Sequence, residues 1–175
     1  MEIKDLIEKS IRFHGHICPG LAIGALAAKY LLEHDFNYSP NEEIVAVVEN
    51  DNCSIDALQV LLGTTYGKGN LIHKDYGKPN YYFYNRKTEK ALKLSIKKKE
   101  SKGKTISKQE KIKQLMDAKP EDIFVIDEIE FNPPSLAQIE ESIACDICGE
   151  STMNSRLMFY NNSSMCIPCY KTQRK

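Results

Sequence analysis

The chain has 175 residues, 42% hydrophobic and 27% charged, which suits one core with a small appendage and leaves no room for a large multidomain enzyme. A globular chain of this length buries about 70% of its unfolded surface, so global disorder is excluded. Twenty-four basic side chains cancel twenty-four acidic ones, so no whole-chain field draws nucleic acid or membrane, and such a partner would need a local patch.

The first residues mix charge with apolar side chains and lack the apolar segment of a secretory signal. The longest apolar stretch, Leu21 to Ala28, is cut by Lys29 and falls short of the roughly 20 residues a bilayer span requires. A soluble, cytoplasmic protein with no membrane partner is expected. Six cysteines in a reducing compartment then argue for metal ligation or reactive thiols rather than disulfides. They fall in two groups: Cys18 and Cys53 near the start, and Cys145, Cys148, Cys166 and Cys169 near the end.

Ile3, Leu6, Ile7 and Ile11 recur at helical spacing, predicting an amphipathic helix that ends near Phe13 and opens into His14-Gly15-His16. Pro19 and Gly20 start a second helix to about His34, whose Gly20, Gly24, Ala25, Ala27 and Ala28 suit close packing. Ile44 to Glu49 is a β-branched run, a buried strand. After Asn50-Asp51-Asn52, Ser54 is placed to cap a helix with Ile55, Leu58, Leu61 and Leu62 on its apolar side, closing at Gly63.

Tyr81 to Tyr84 and Ala91 to Ile96 are expected to form a hairpin. From Arg86 to Lys119 the chain has an excess of nine positive charges, densest in the lysine-rich segment of about 97–113, whereas residues 1–56 hold ten acidic side chains against four basic ones. The molecule is therefore electrically polar despite its zero total. Ser107 and Glu110 form a capping box for a helix to about Ala118, and Ile123 to Phe131 alternates as a strand. Pro133-Pro134 ends that pattern, and a short helical stretch followed by the cysteine-rich tail makes a separate unit. The expected division is an α+β metal-binding core over 1–137, with a small mixed sheet packed against helices, and a zinc finger over 138–175.

Cys145-x-x-Cys148 and Cys166-x-x-Cys169 are separated by seventeen residues. Each such turn brings two thiolates to one tetrahedral ion, and two turns close a four-sulfur shell with no position for substrate, the pattern of structural zinc. A hairpin about Asn161-Asn162 lies between them and a helix starts at the second pair, a treble-clef arrangement. Lys171, Arg174 and Lys175 are available to phosphate, although solvated charge is the commoner use of such residues.

In the first third, His14, His16 and Cys18 crowd five residues ahead of one helix, and Cys53 stands ahead of another. The positive helix ends favour thiolate there and lower the sulfur pKa. Two thiolates with His16, and with His14 as a further candidate, supply three protein ligands and leave one position open, as in a catalytic zinc or other soft divalent site. Asp51 and Asp56 are candidates to orient an imidazole or handle protons. Gly63 to Gly69 is not a phosphate loop, since the spacing and the residue after Lys68 are wrong, which leaves Lys68 as an anion contact into the same cleft. His34 and His73 stand alone as surface or capping residues.

Three ordered motifs resemble the family of the formylmethanofuran dehydrogenase E-subunit: Phe13-His14-Gly15-His16-x-Cys18-Pro19-Gly20-Leu21-Ala22-x-Gly24, then Glu49-Asn50-Asp51-x-Cys53-x-x-Asp56-Ala57-x-Gln59, then Gly63-x-Thr65-x-Gly67-Lys68-Gly69-Asn70-Leu71. With the terminal four-cysteine finger, the resemblance covers nearly the whole chain. It implies an α+β core with a treble-clef finger, a homodimer, and a divalent cleft metal, zinc first, held by His16, Cys18 and Cys53. It also implies association with the molybdenum or tungsten enzyme that reduces carbon dioxide onto methanofuran in methanogenesis. Many members carry a cysteine where this chain has Thr64, so a third cleft thiol is absent here. The resemblance therefore favours a metal-binding accessory subunit over a stand-alone metal-dependent enzyme with candidate catalytic residues His14, Asp51, Asp56 and Lys68. A nucleic-acid-binding regulator using the finger and the lysines is the least favoured reading.

Overall fold

The computed structural model describes residues 2–98 and 106–174. Of the lysine-rich segment, residues 99–105 lie outside the described residues. The chain divides into two compact units, Met1–Leu136 and Ala137–Lys175.

In the first unit, α1 (Ile3–His14) buries Leu6, Ile7 and Ser10. It stops at Gly15, whose φ of 95° lies in the left-handed region open to glycine, so the chain turns just after His14. Helix α2 (Pro19–Leu32) follows, with Pro19 in its first turn and Cys18 at the N-cap. It ends two residues before the predicted His34, whose Nδ1 donates to the Tyr30 carbonyl at 2.7 Å and caps the exit. Strand β1 (Ile44–Val48) is buried throughout, and α3 (Ser54–Leu62) closes at Gly63 in the left-handed conformation.

Strand β2 (Leu71–His73) was not expected. It pairs in parallel with β1, Ala46 opposite Leu71 and Val48 opposite His73, so β1, α3 and β2 form a βαβ unit. Strands β3 (Asn80–Asn85), β4 (Ala91–Ile96) and β5 (Phe124–Glu128) complete a mixed sheet of order β2-β1-β3-β4-β5, antiparallel beyond β1. One face of this α+β sheet, carrying Ile44, Ala46, Val48, Tyr81, Phe83, Leu92 and Leu94, packs with the helices into a single core. The predicted hairpin and central strand are both present.

Helix α2 meets α3 at Gly24, where an added Cβ would stand 2.2 Å from the Ser54 carbonyl oxygen and 2.8 Å from its Cα. This close approach holds the starts of α2 and α3 together and thereby positions Cys18 and Cys53.

Three expectations are corrected. Ser54 does not cap α3: Cys53 holds the N-cap position, and Ser54 is the first helical residue. The preceding turn supplies its own acceptors, Asn50 Oδ1 to the Asn52 N–H and Asn52 Oδ1 to the Ser54 N–H. The Ser54 hydroxyl is thereby free to share a 2.8 Å hydrogen bond with Tyr81 OH.

The strand after the basic segment begins one residue late and ends at Glu128, because Lys119-Pro120 starts a single helical turn, α5 (Pro120–Ile123). No helix follows Pro133-Pro134 before the cysteine-rich tail. That stretch has no regular secondary structure up to β6; just before it Phe131 stacks on Tyr84 at 5.6 Å, and at its start Arg86 Nη2 donates to the Pro134 carbonyl at 2.8 Å.

Helix α4 (Lys108–Asp117) starts as predicted, with Ser107 Oγ accepting from the Glu110 N–H at 3.1 Å. Ser107→Ala is expected to cost about 1 kcal/mol, measured by urea unfolding; an unchanged midpoint would mean that this cap contributes nothing to the fold.

The second unit contains the hairpin β6 (Ser142–Ala144) and β7 (Ser151–Met153), a 3-10 turn over Asn154–Arg156, the hairpin β8 (Leu157–Tyr160) and β9 (Ser163–Cys166), and α6 (Ile167–Gln173). Asn161 and Asn162 both have positive φ, 48° and 59°, the conformation of a type I′ two-residue hairpin turn. The order of knuckle, hairpin and helix is that of a treble clef.

Candidate functional site

In the second unit the sulfurs of Cys145, Cys148, Cys166 and Cys169 all lie within 4.8 Å of one another. The Cys145 thiol is drawn down to about 6 by backbone N–H groups, that of Cys148 first and that of Cys166 next, the latter 3.2 Å from its sulfur. Cys169 is pushed up to about 12, chiefly by its hydrogen bond with the Cys166 thiol. Four sulfurs this close cannot all ionise by themselves, and a cation removes the conflict. This cluster could hold a metal such as zinc.

In the first unit, the turn between α1 and α2 gathers His14, His16 and Cys18, whose ligand atoms also lie within 4.8 Å of one another. Each is placed by a local cause. His14 ends α1, Gly15 reverses the chain, and the His16 ring comes back to 4.6 Å from the His14 ring. Cys18 caps α2, its sulfur accepting from the Leu21 N–H at 3.3 Å, as the thiol-before-helix reading expects.

His14 is held from the second motif. Its Nδ1 donates to Asp56 Oδ2 at 2.7 Å, and the other Asp56 oxygen accepts from Gln59 Nε2 at 3.4 Å. With Nδ1 as the donor, Nε2 is the ring nitrogen left to offer a lone pair to a cation. That atom is buried and has no hydrogen-bond partner. A buried imidazole nitrogen left without a partner, beside another imidazole and a thiol, is what a missing cation would satisfy. The residues fit a divalent metal, with Asp56 in the orienting role foreseen for it.

The trio shares His16 and Cys18 with the expected set of His16, Cys18 and Cys53 and adds His14, the further candidate, while Cys53 is not in it. Cys53 lies against Cys18 but outside the group. Its thiol is pushed up by burial first and then by the neighbouring Cys18 thiol, which corrects the expectation of a helix-lowered pKa at this position. At the N-cap of α3 its side chain makes no capping hydrogen bond to the helix, and the lowering effect of its own backbone N–H is outweighed. Thr64, on the third motif, is fully buried with its hydroxyl on the Leu58 carbonyl.

Lys68 is also corrected. Its ammonium donates to the carbonyls of Ser39 at 2.7 Å and Pro40 at 3.3 Å, tying the loop after α3 to the loop before β1, and it does not line the cleft. Asp51 does line it.

A cleft of about 280 Å³ opens beside His14, the member of the trio that lines it, and is walled also by Val48, Asn50, Asp51, Asn52, Cys53, Asp56 and His73 among others. It sits at the carboxyl ends of the parallel strands β1 and β2, where ligands of open sheets commonly bind. His73, expected to stand alone as a surface or capping residue, is exposed at the end of β2 and forms part of this wall; strand β2 itself escaped sequence reasoning because three residues carry too little alternation, the apolar pair Leu71-Ile72 being the available signal. Among the described residues, no helix is long and apolar enough to cross a membrane.

Comparison with known proteins agrees with this architecture. Residues 13–131 match the family model FmdE, described as "Molybdenum formylmethanofuran dehydrogenase operon". A probable S-adenosyl-L-methionine-binding protein of Archaeoglobus fulgidus is 31% identical over 196 residues, with 94% of this chain and 52% of that protein covered, so the chain spans about half the length of this curated relative. The crystal structure of a tungsten formylmethanofuran dehydrogenase FmdE-like protein from Syntrophus aciditrophicus superposes with a TM-score of 0.71, covering 99% of this chain and 94% of that one. At 21% identity this likeness shows the fold alone. The family match spans more than half of the chain and includes all three motifs in order, and the chain therefore belongs to the FmdE family.

Proposed function

We propose that this chain is a metal-binding accessory subunit that works with an enzyme of the formylmethanofuran dehydrogenase type, in the reduction of carbon dioxide during methanogenesis. On this reading it holds two divalent cations, zinc first. One is structural, in the four-cysteine finger. The other lies in the cleft on His14 Nε2, His16 and Cys18, with Asp56 fixing His14. The observation that carries the cleft site is the buried, partnerless Nε2 of His14, a residue whose ligand atom lies within 4.8 Å of those of His16 and Cys18. Family membership supports the partnership. The finger, closed to substrate, is the natural docking module.

Asp56→Asn keeps the shape of the side chain and loses the carboxylate, so the cleft cation should bind about 10- to 100-fold more weakly while the finger cation is unchanged. Competition titration with a chromophoric chelator measures both; equal cleft affinity in the variant would contradict the assignment. The partnership is tested by affinity purification from the native cell. Dehydrogenase subunits in the eluate support it, and their absence under mild extraction counts against it.

A second reading, a small metal-dependent enzyme, is favoured by one observation: three ligands leave a fourth position beside a cleft.

A further inference from the structure

A second concavity in the first unit, a crevice of about 230 Å³ between α2, the end of β4, α4 and α5, shares no lining residue with the cleft. We propose that it binds a short anionic amphiphile, a free carboxylic acid with an alkyl chain, the chain lying in the crevice and the carboxylate on Lys97 and Lys111. This inference does not depend on the cleft cation.

The apolar wall is assembled from four elements. Leu115 of α4 and Ile123 of α5 are buried, while Ile23 of α2 and Ile96 of β4 stay partly exposed although they pack against the core. The fold fixes this arrangement: Ile96 stands opposite Phe124 in the sheet register, and the Lys97 N–H donates to the Ile123 carbonyl at 2.8 Å. A concave surface of aliphatic side chains gains by taking an apolar group out of water. Its volume is below the roughly 300–1,000 Å³ of sites for drug-sized ligands, so the chain it accepts is short.

Charge selects the end group. The charged side chains in the wall are Lys97, Lys111 and Asp122, a net of one positive charge. The neighbouring carboxylates of Glu110 and Glu121 do not line it. Asp122 is turned to its own helical turn, where its Oδ2 accepts from the Lys119 N–H at 3.3 Å. Lys97 Nζ donates to the Glu121 carbonyl at 2.6 Å, a neutral acceptor that positions the ammonium without cancelling its charge and leaves it two further donors. Lys111 lies one turn before Leu115 on the same face of α4, and its ammonium makes no hydrogen bond or ion pair among the described residues. Both lysines are exposed, so they stand at the mouth. The excess of nine positive charges between Arg86 and Lys119 adds a field of the same sign, which attracts an anionic end group and repels a cationic one.

The test is a methyl NMR titration of the full chain, labelled at isoleucine and leucine, with octanoate below its aggregation concentration and with octylammonium and acetate as controls. Octanoate is expected to shift the methyl signals of Ile23, Ile96, Leu115 and Ile123 saturably. Octylammonium, with the wrong charge, and acetate, with no chain, should leave them in place. In Lys111→Glu, a surface substitution that keeps the fold, octanoate should bind about tenfold more weakly. No saturable shift in the wild type overturns the proposal, as does equal binding of octanoate and octylammonium or unchanged octanoate affinity in Lys111→Glu. Crevice signals that move with protein concentration in the absence of ligand would make a second copy of the chain the occupant and overturn it too.

Discussion

Cys145→Ser is expected to abolish the fold of the second unit and leave the first intact. The reason is the size of its core: among the described residues only Cys145, Met165 and Cys166 are buried there, with Tyr160, Cys169 and Tyr170 partly covering them. Two of those three buried side chains belong to the four-cysteine cluster that could hold a metal. So few apolar contacts cannot offset the conformational entropy of ordering the segment, which amounts to about 1–2 kcal/mol per residue for the backbone. A structural zinc contributes about 10–16 kcal/mol when its thiolates are in place, so with zinc on these cysteines the fold of this unit and the binding of the cation would be one equilibrium. In a proton–nitrogen NMR spectrum, the amides of residues 142–174 should collapse to random-coil positions in Cys145→Ser or after strong chelation, while those of the first unit remain dispersed. Dispersed finger signals in the chelated protein would show that the unit is held by something other than a metal.

The second large effect is expected at Gly24. An alanine there gains helix propensity, worth about 1 kcal/mol. Against this, its Cβ would fall 2.2 Å from the Ser54 carbonyl oxygen, and the atom in the way belongs to the backbone of a neighbouring helix rather than to a side chain that can rotate. Helix α3 must move as a body, which loosens the core that Leu58, Leu61 and Leu62 share with α2. A net loss of about 2–4 kcal/mol is expected from urea unfolding followed by circular dichroism. Gly20→Ala provides the contrast, since its Cβ would meet the Cys53 side chain at 3.2 Å and a shift of a few tenths of an ångström relieves it. Equal stability of the two variants would contradict the packing described here.

The residues that could be understood from sequence were those whose role is local. A β-branched run, a capping serine before Glu110, a glycine stop at Gly63 and an Asn-Asn turn each act within a few positions, and each is found where its chemistry placed it. The paired cysteines are local in the same sense. The unforeseen features depend on distant partners. Strand β2 is three residues long and exists because β1 offers it an edge. Lys68 stood next to glycines that suggested an anion site, but two carbonyls near Ser39 claim its ammonium.

The place of His14 in the close group also depends on a long-range contact, the hydrogen bond from His14 to Asp56 across forty-two positions of sequence. Spacing alone could not reveal that bond, although it did single out both residues. The Ser54 cap failed for a related reason: Ser54 is the first helical residue and its hydroxyl is shared with Tyr81, twenty-seven positions away.

The central claim is that the turn between α1 and α2 holds a cation of its own, separate from that of the finger. Metal content of the purified full chain by mass spectrometry, for wild type and for His14→Ala with its fold verified by circular dichroism, tests it most directly. The account predicts two divalent ions per chain in the wild type and one in His14→Ala. A single ion in the wild type, or two retained after His14→Ala, would contradict it.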